Sequence, residues 1–203
     1  MRILLSCIFF SLLWGITNRL SKLTRFNTPP VTTIPYPARV TDDQPLKAKV
    51  YRLVTANKRT QFQSLLLQEQ LVTIASKYFI TYQQQVTWVS LIGMESGYNP
   101  AARSVTGALG LGQLIPSYYA DFGRTCGLGN VTKAELADNY TNLSLSACYF
   151  QEQLVVNNGD LEMAMNAYKN GPYSQDVRKM RAGTEVGNGT REYITAITKH
   201  AKE

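Results

Sequence analysis

The sequence predicts a mostly α-helical domain behind an N-terminal targeting segment and a proline-rich spacer. Three observations carry this. Apolar residues recur with helical spacing from about residue 60 onward, no convincing alternation of apolar and polar residues marks a strand, and five of the eight prolines crowd between Asn27 and Pro45. With 203 residues and 44% hydrophobic composition, the chain has enough material for one folded domain and a tail.

Arg2 precedes an apolar run from Ile3 to Ile16, broken only by Ser6, Cys7, Ser11 and Gly15. Its length suits the core of a signal peptide better than a full span of about 20 residues. No small-x-small cleavage site follows, so a cleaved signal and a retained anchor both stay open. Arg19, Lys22 and Arg25 outnumber Arg2, a balance that by itself favours a cytoplasmic C-terminus. Residues 1–18 are assigned to this segment and residues 19–55 to a basic, semi-extended spacer, because prolines among Thr, Val and Asp favour extended backbone. The folded domain is expected over residues 56–203.

Within it, Leu67, Leu71, Ile74 and Tyr78 form one helical stripe, and Trp88, Leu91, Ile92 and Glu95 a second that Asn99-Pro100 terminates. Leu143, Ala147, Phe150 and Leu154 form a third. A fourth, Leu161, Ala164, Met165 and Tyr168, follows Asp160 as N-cap, and Tyr193 with Ile197 suggests a last helix. Gly107, Gly110 and Gly112 mark a tight loop between the second and third helices.

The net charge of +7 is unevenly placed: residues 1–60 hold ten Lys/Arg against Asp42 and Asp43, while residues 61–203 are close to neutral. A near-neutral domain lacks the clustered cations that binding to a phosphate backbone needs, which argues against a nucleic-acid partner. The only histidine is His200, so Ser-His-Asp triads, Cys-His dyads and histidine metal sites are poorly supplied. The glycine loop lacks a following Lys-Ser/Thr and a preceding strand, so it is a turn rather than a nucleotide site. No cofactor or metal is expected. Cys126 and Cys148 form an even pair outside the targeting segment, which suits a disulfide in an oxidising compartment, with two buried thiols as the alternative. The Asn-x-Ser/Thr tripeptides at Asn130, Asn139, Asn142 and Asn188 matter only in a eukaryotic secretory pathway.

Glu95 stands out because it continues an otherwise apolar helix face. Loss of water disfavours its charged form, and a carboxyl with a raised pKa is what a general acid near neutral pH requires. A Glu simply pointing into solvent from a helix end is the competing explanation.

Three blocks give this residue a context: Glu95-Ser96-Gly97-Tyr98-Asn99-Pro100, the loop from Ser104 through Gly107-Ala108-Leu109-Gly110-Leu111-Gly112-Gln113 to Pro116, and Ala167-Tyr168-Lys169-Asn170-Gly171-Pro172, with Arg191-Glu192-Tyr193 beyond. In type, order and spacing they resemble the lytic transglycosylases, a goose-lysozyme-like family acting on peptidoglycan, over residues 65–200. The resemblance implies a lysozyme-like helical domain with a deep glycan cleft and Glu95 as acid/base. It further implies Ser104, Gln113, Tyr168, Asn170 and Tyr193 as glycan-binding residues, with the two tyrosines beside the catalytic carboxyl. Gly112 and Ile115 replace methionines of the family pattern, and Lys169-Asn170 replaces Asn-Ala.

Most glycosidases use two carboxylates. None follows the Glu95 block until Asp121, so a single-carboxyl route producing 1,6-anhydromuramyl ends fits better. A muramidase using Asp121 and a catalytically weak glycan-binding scaffold are the rival readings. By resemblance the expected partners are peptidoglycan strands and a conjugation, secretion or phage-entry apparatus. The expected location is the periplasm or cell envelope, with residues 3–16 as a potential inner-membrane anchor.

Overall fold

The computed structural model describes residues 44–57, 64–119 and 122–203. The apolar run at 3–16, most of the expected spacer and Asp121 lie outside the described residues.

The first described helix corrects the expected domain boundary. Residues up to 55 are read from sequence as spacer, yet α1 spans Gln44–Ala56 and buries Leu46, Val50 and Val54. These three are spaced by four, so they form one stripe, which packs against the next two helices. Pro45 lies in the first turn, where the missing N–H interrupts no helical hydrogen bond, so it is compatible with a helix that prolines upstream conceal.

Helix α2 (Leu65–Tyr78) starts at Ser64, whose Oγ accepts from the Leu67 amide at 3.0 Å. Helix α3 (Tyr82–Ser96) starts with a capping box, the Thr81 hydroxyl and the Gln84 amide side chain each taking the other's backbone N–H at 3.2 Å. After the short turns α4 (Pro116–Tyr119) and α5 (Phe122–Thr125), α6 runs Asn139–Val156 behind Asp138. Then come α7 (Leu161–Asn170), α8 (Gln175–Arg181) and α9 (Asn188–Lys202). Asp160 caps α7 by accepting from the Met163 amide at 3.0 Å, as its position predicts. Among the described residues no strand is formed, and the fold is mostly helical as expected.

All four sequence-read stripes face inward, with only Leu161 and Glu95 less than fully buried. Trp88 is inaccessible at the centre, its ring 5.7 Å from Phe79, which in turn stacks edge-on to Phe150 at 5.8 Å. Helix α3 lies against α9, and α6 against α2 and α7. This packing sets the end of α3 beside the start of α9. Cys126 and Cys148 form a disulfide that joins the segment after α5 to α6. Closing a loop with a sequence separation of 22 restricts the unfolded chain by about 3 kcal/mol.

A chain beginning at residue 57 would lose three buried aliphatic side chains, each worth about 1.5–3 kcal/mol. That sum rivals the whole stability of an ordinary domain, about 5–15 kcal/mol. Circular dichroism melting is therefore expected to show a cooperative transition for a chain starting at Arg39 and none, or one shifted far down, for a chain starting at Asn57.

Candidate active site

Glu95 lies in the last turn of α3, immediately past Trp88, Leu91 and Ile92, which are all inaccessible. The helix must end there in a fixed way. Gly97 takes the left-handed conformation at φ 62° and its amide returns to the Gly93 carbonyl at 2.8 Å. Tyr98 follows at φ 61°, folded back so that its hydroxyl donates to the Val89 carbonyl at 3.2 Å. Glycine at 93 leaves room for that ring, since a Cβ there would come within 2.7 Å of the Tyr98 hydroxyl.

Tyr193, on the buried face of α9, donates to Glu95 Oε1 at 2.5 Å. Burial pushes the Glu95 carboxyl above its ordinary range, the Tyr193 hydrogen bond and the nearby charge of Lys169 pull it back, and the net direction is upward. The same burial, then the charge of Glu95, pushes the Tyr193 phenol well up, so it stays a donor. Tyr193 thus sits beside the Glu95 carboxyl, where the resemblance places it.

Tyr168 is placed differently. Its hydroxyl donates to the Gly112 carbonyl at 2.8 Å and pairs with the Ser146 hydroxyl at 2.9 Å, and Ser146 accepts from the Trp88 indole at 3.2 Å. With Tyr168 donating to the carbonyl, Ser146 must donate to Tyr168, so one directed chain runs Trp88, Ser146, Tyr168, Gly112. The Tyr168 hydroxyl is therefore committed to the glycine loop rather than to Glu95. Its nearness to Glu95 shows in the carboxylate charge, which helps raise its pKa after burial has done most of it.

The loop is held from the other side by Asn142, which is buried on α6. Its Oδ1 accepts from the Gly112 amide at 2.8 Å, and its Nδ2 donates to the Leu109 and Leu136 carbonyls at 3.0 and 2.9 Å. Ser104 accepts from the Ala108 amide at 3.0 Å and pairs with Thr106, and Gln113 donates to the Gly110 carbonyl at 2.9 Å. Ser104 and Gln113 thus shape the loop with the atoms they use here. Asn170 bonds Asn166 and Thr190 at 2.9 and 3.0 Å, and Thr190 bonds Asp176, so Asn170 ties α7 to the start of α9.

Sequence reasoning missed Asn142, Ser146 and Tyr149, although their i, i+4, i+7 spacing is a second stripe on α6 beside the apolar one. Tyr149 packs edge-on against Tyr119 and Phe122 at 5.5 and 5.7 Å. Tyr119 is pushed far up by burial, with the charges of Tyr149 and then Glu95 adding to the effect. Two surface grooves elsewhere, between α1 and α2 and along the outer face of α9, include none of these residues. Among the described residues no three His, Cys, Asp or Glu side chains gather as metal ligands.

The family model of the transglycosylase SLT domain matches residues 75–188, which include every candidate glycan-contacting residue but Tyr193. Two solved structures share the fold. An inactive mutant of the lytic transglycosylase Slt from Pseudomonas aeruginosa aligns with a TM-score of 0.59 at 22% identity, over 73% of this chain and 26% of that one. The 70 kDa soluble lytic transglycosylase of Escherichia coli aligns with a TM-score of 0.57 at 18% identity, over 79% of this chain and 29% of that one. The chain spans little more than a quarter of each of these proteins.

Two outcomes are expected from this geometry. A Cβ at Gly112 would meet Ser146 Cβ at 2.7 Å and the Tyr168 hydroxyl at 3.0 Å, so Gly112→Ala should destabilise the domain by about 1–3 kcal/mol, read as a lowered Tm. Tyr193→Phe removes the donor that favours ionised Glu95. Carbon-13 NMR of the Glu95 carboxyl should then show its titration moving to higher pH.

Proposed function

Since the chain belongs to the transglycosylase SLT-domain family, we propose that it is a peptidoglycan lytic transglycosylase in which Glu95 is the sole acid/base. The observation that carries this is the electrostatic environment of Glu95. Burial raises its pKa, and only Tyr193 and Lys169 oppose that, with no second carboxylate of the described residues acting on it. Two-carboxylate glycosidases need a partner close enough to act as base or nucleophile.

In the proposed reaction, protonated Glu95 donates to the glycosidic oxygen as the bond from the muramic acid anomeric carbon breaks. The substrate's own 6-hydroxyl closes on that carbon, and its proton passes to the Glu95 carboxylate. The products are a free 4-hydroxyl on one fragment and a 1,6-anhydromuramyl end on the other, and Glu95 is again protonated. No water is consumed. Tyr193 steadies the carboxylate in the half-reaction where it is charged. Because the acid must begin protonated, activity is expected to fall as pH rises through the elevated Glu95 pKa.

Export belongs to the same proposal, with residues 3–16 as signal or inner-membrane anchor. The disulfide supports it, since such bonds persist in oxidising compartments. Local opening of the wall for a conjugation, secretion or phage-entry apparatus is the role proposed for so small a catalytic domain.

Glu95→Gln keeps the shape of the side chain but removes its transferable proton. Cleavage of purified peptidoglycan should drop by about 100-fold or more while glycan binding persists. Mass spectrometry of wild-type digests should find anhydro ends that resist borohydride. Reducible ends would instead identify a muramidase, and binding without products a scaffold.

A further inference from the structure

Lys169 stands one residue past Tyr168, where the sequence departs from the Asn of the family motif. It lies in the last turn of α7 with an exposed side chain, and the ammonium nitrogen lies 4.8 Å from the centre of the Tyr193 ring. The same nitrogen donates to the Gly189 carbonyl in the first turn of α9. Tyr193 in turn donates to Glu95. One cation from α7 therefore grips α9 at two points, its backbone and the ring that carries the hydrogen-bond donor for the carboxyl.

The groups facing this arrangement come from five elements: Glu95 on α3, Tyr119 on α4, Tyr168 on α7 itself, Asp176 on α8 and Tyr193 on α9. Asp176 is partly occupied in bonding Thr190 and the Gly187 amide, which fixes the N-terminus of α9 where no side-chain cap is present. Lys169 is the one cation among the described residues acting on Glu95. A cation over an aromatic face is attracted to the ring quadrupole, and it also withdraws electron density from the phenol, making its O–H a better donor.

We propose that Lys169 is a positioning residue of the catalytic pair, holding the Tyr193 hydroxyl against Glu95 and setting a fixed positive charge beside the carboxylate. This rests on the reading of Glu95 as the acid/base. The lysine favours the carboxylate form and so limits the pH range over which the acid is charged with its proton. In exchange, it steadies the carboxylate that must collect the proton of the 6-hydroxyl. Being exposed, the ammonium is open to screening by salt.

The test compares full-length wild type, Lys169→Met and Lys169→Arg by carbon-13 NMR of the Glu95 carboxyl and by pH profiles of peptidoglycan cleavage. In Lys169→Met, titration of Glu95 and the alkaline fall of activity should both move to higher pH. On the acid plateau kcat should be about two- to five-fold lower with KM unchanged, the worth of an exposed cation–π contact. Lys169→Arg should restore the wild-type profile, and added salt should move the wild type toward the Met variant. A Met variant whose Glu95 titrates as in wild type, or one altered in KM alone, would overturn the proposal. The NMR titration decides this even if wild-type protein yields no glycan products, an outcome that would instead end the transglycosylase reading.

Discussion

Keeping water away from one carboxyl at the end of an apolar helix is the constraint on which the arrangement around it depends. A buried ionised carboxylate is costly unless hydrogen-bonded, and a buried neutral one holds its proton to higher pH. Both states are served by the same neighbours. Trp88, Leu91 and Ile92 make the rest of its helix face apolar and inaccessible, and Tyr193 supplies a donor that strengthens its bond when charge develops. Because the two residues are 98 positions apart, the pair exists only when α3 and α9 are packed, so the chemistry is a property of the tertiary fold.

The second organising device is polar and lies in the interior. Helix α6 presents Asn142 and Ser146 to the glycine loop, and these residues turn irregular backbone into a defined wall. Loop amides and carbonyls cut off from water need partners, and the buried amide of Asn142 serves two of them, with the Leu136 carbonyl besides. A loop held this way keeps its shape without the regular hydrogen bonds of a sheet.

The helical class, the four stripes, Asp160 as a cap and the place of Glu95 at the end of a buried stripe were legible because period and capping chemistry are local. The start of the domain was not. Pro45 and the prolines before it masked Leu46, Val50 and Val54, since a proline in a first turn and one in a spacer look alike in sequence. Tyr168 and Tyr193 were equally conspicuous as motif tyrosines, but only the packing tells that one hydroxyl meets a carboxyl and the other a backbone carbonyl. Asn142 and Ser146 carried no signal beyond their spacing, because a polar residue on a buried helix face has meaning only when its partner loop is known. Ser104, Gln113 and Asn170 fall in the loop and the helix end named for them, while their use in holding backbone and neighbouring helices emerged from the geometry.

The directed chain from Trp88 to Gly112 also constrains how this sequence can change by descent. Position 112 has no room for a side chain while Ser146 and Tyr168 occupy theirs, and the two hydroxyls are oriented by each other and by the indole. Substitutions at residues in mutual contact do not act independently. The three positions therefore form an epistatic unit: a bulkier residue at 112 becomes acceptable only after its neighbours have given way, and a smaller neighbour leaves a polar group unpaired until 112 has changed. Lineages carrying glycine here are expected to keep the serine and the tyrosine with it, and the order of replacements, more than their individual cost, decides which paths remain open.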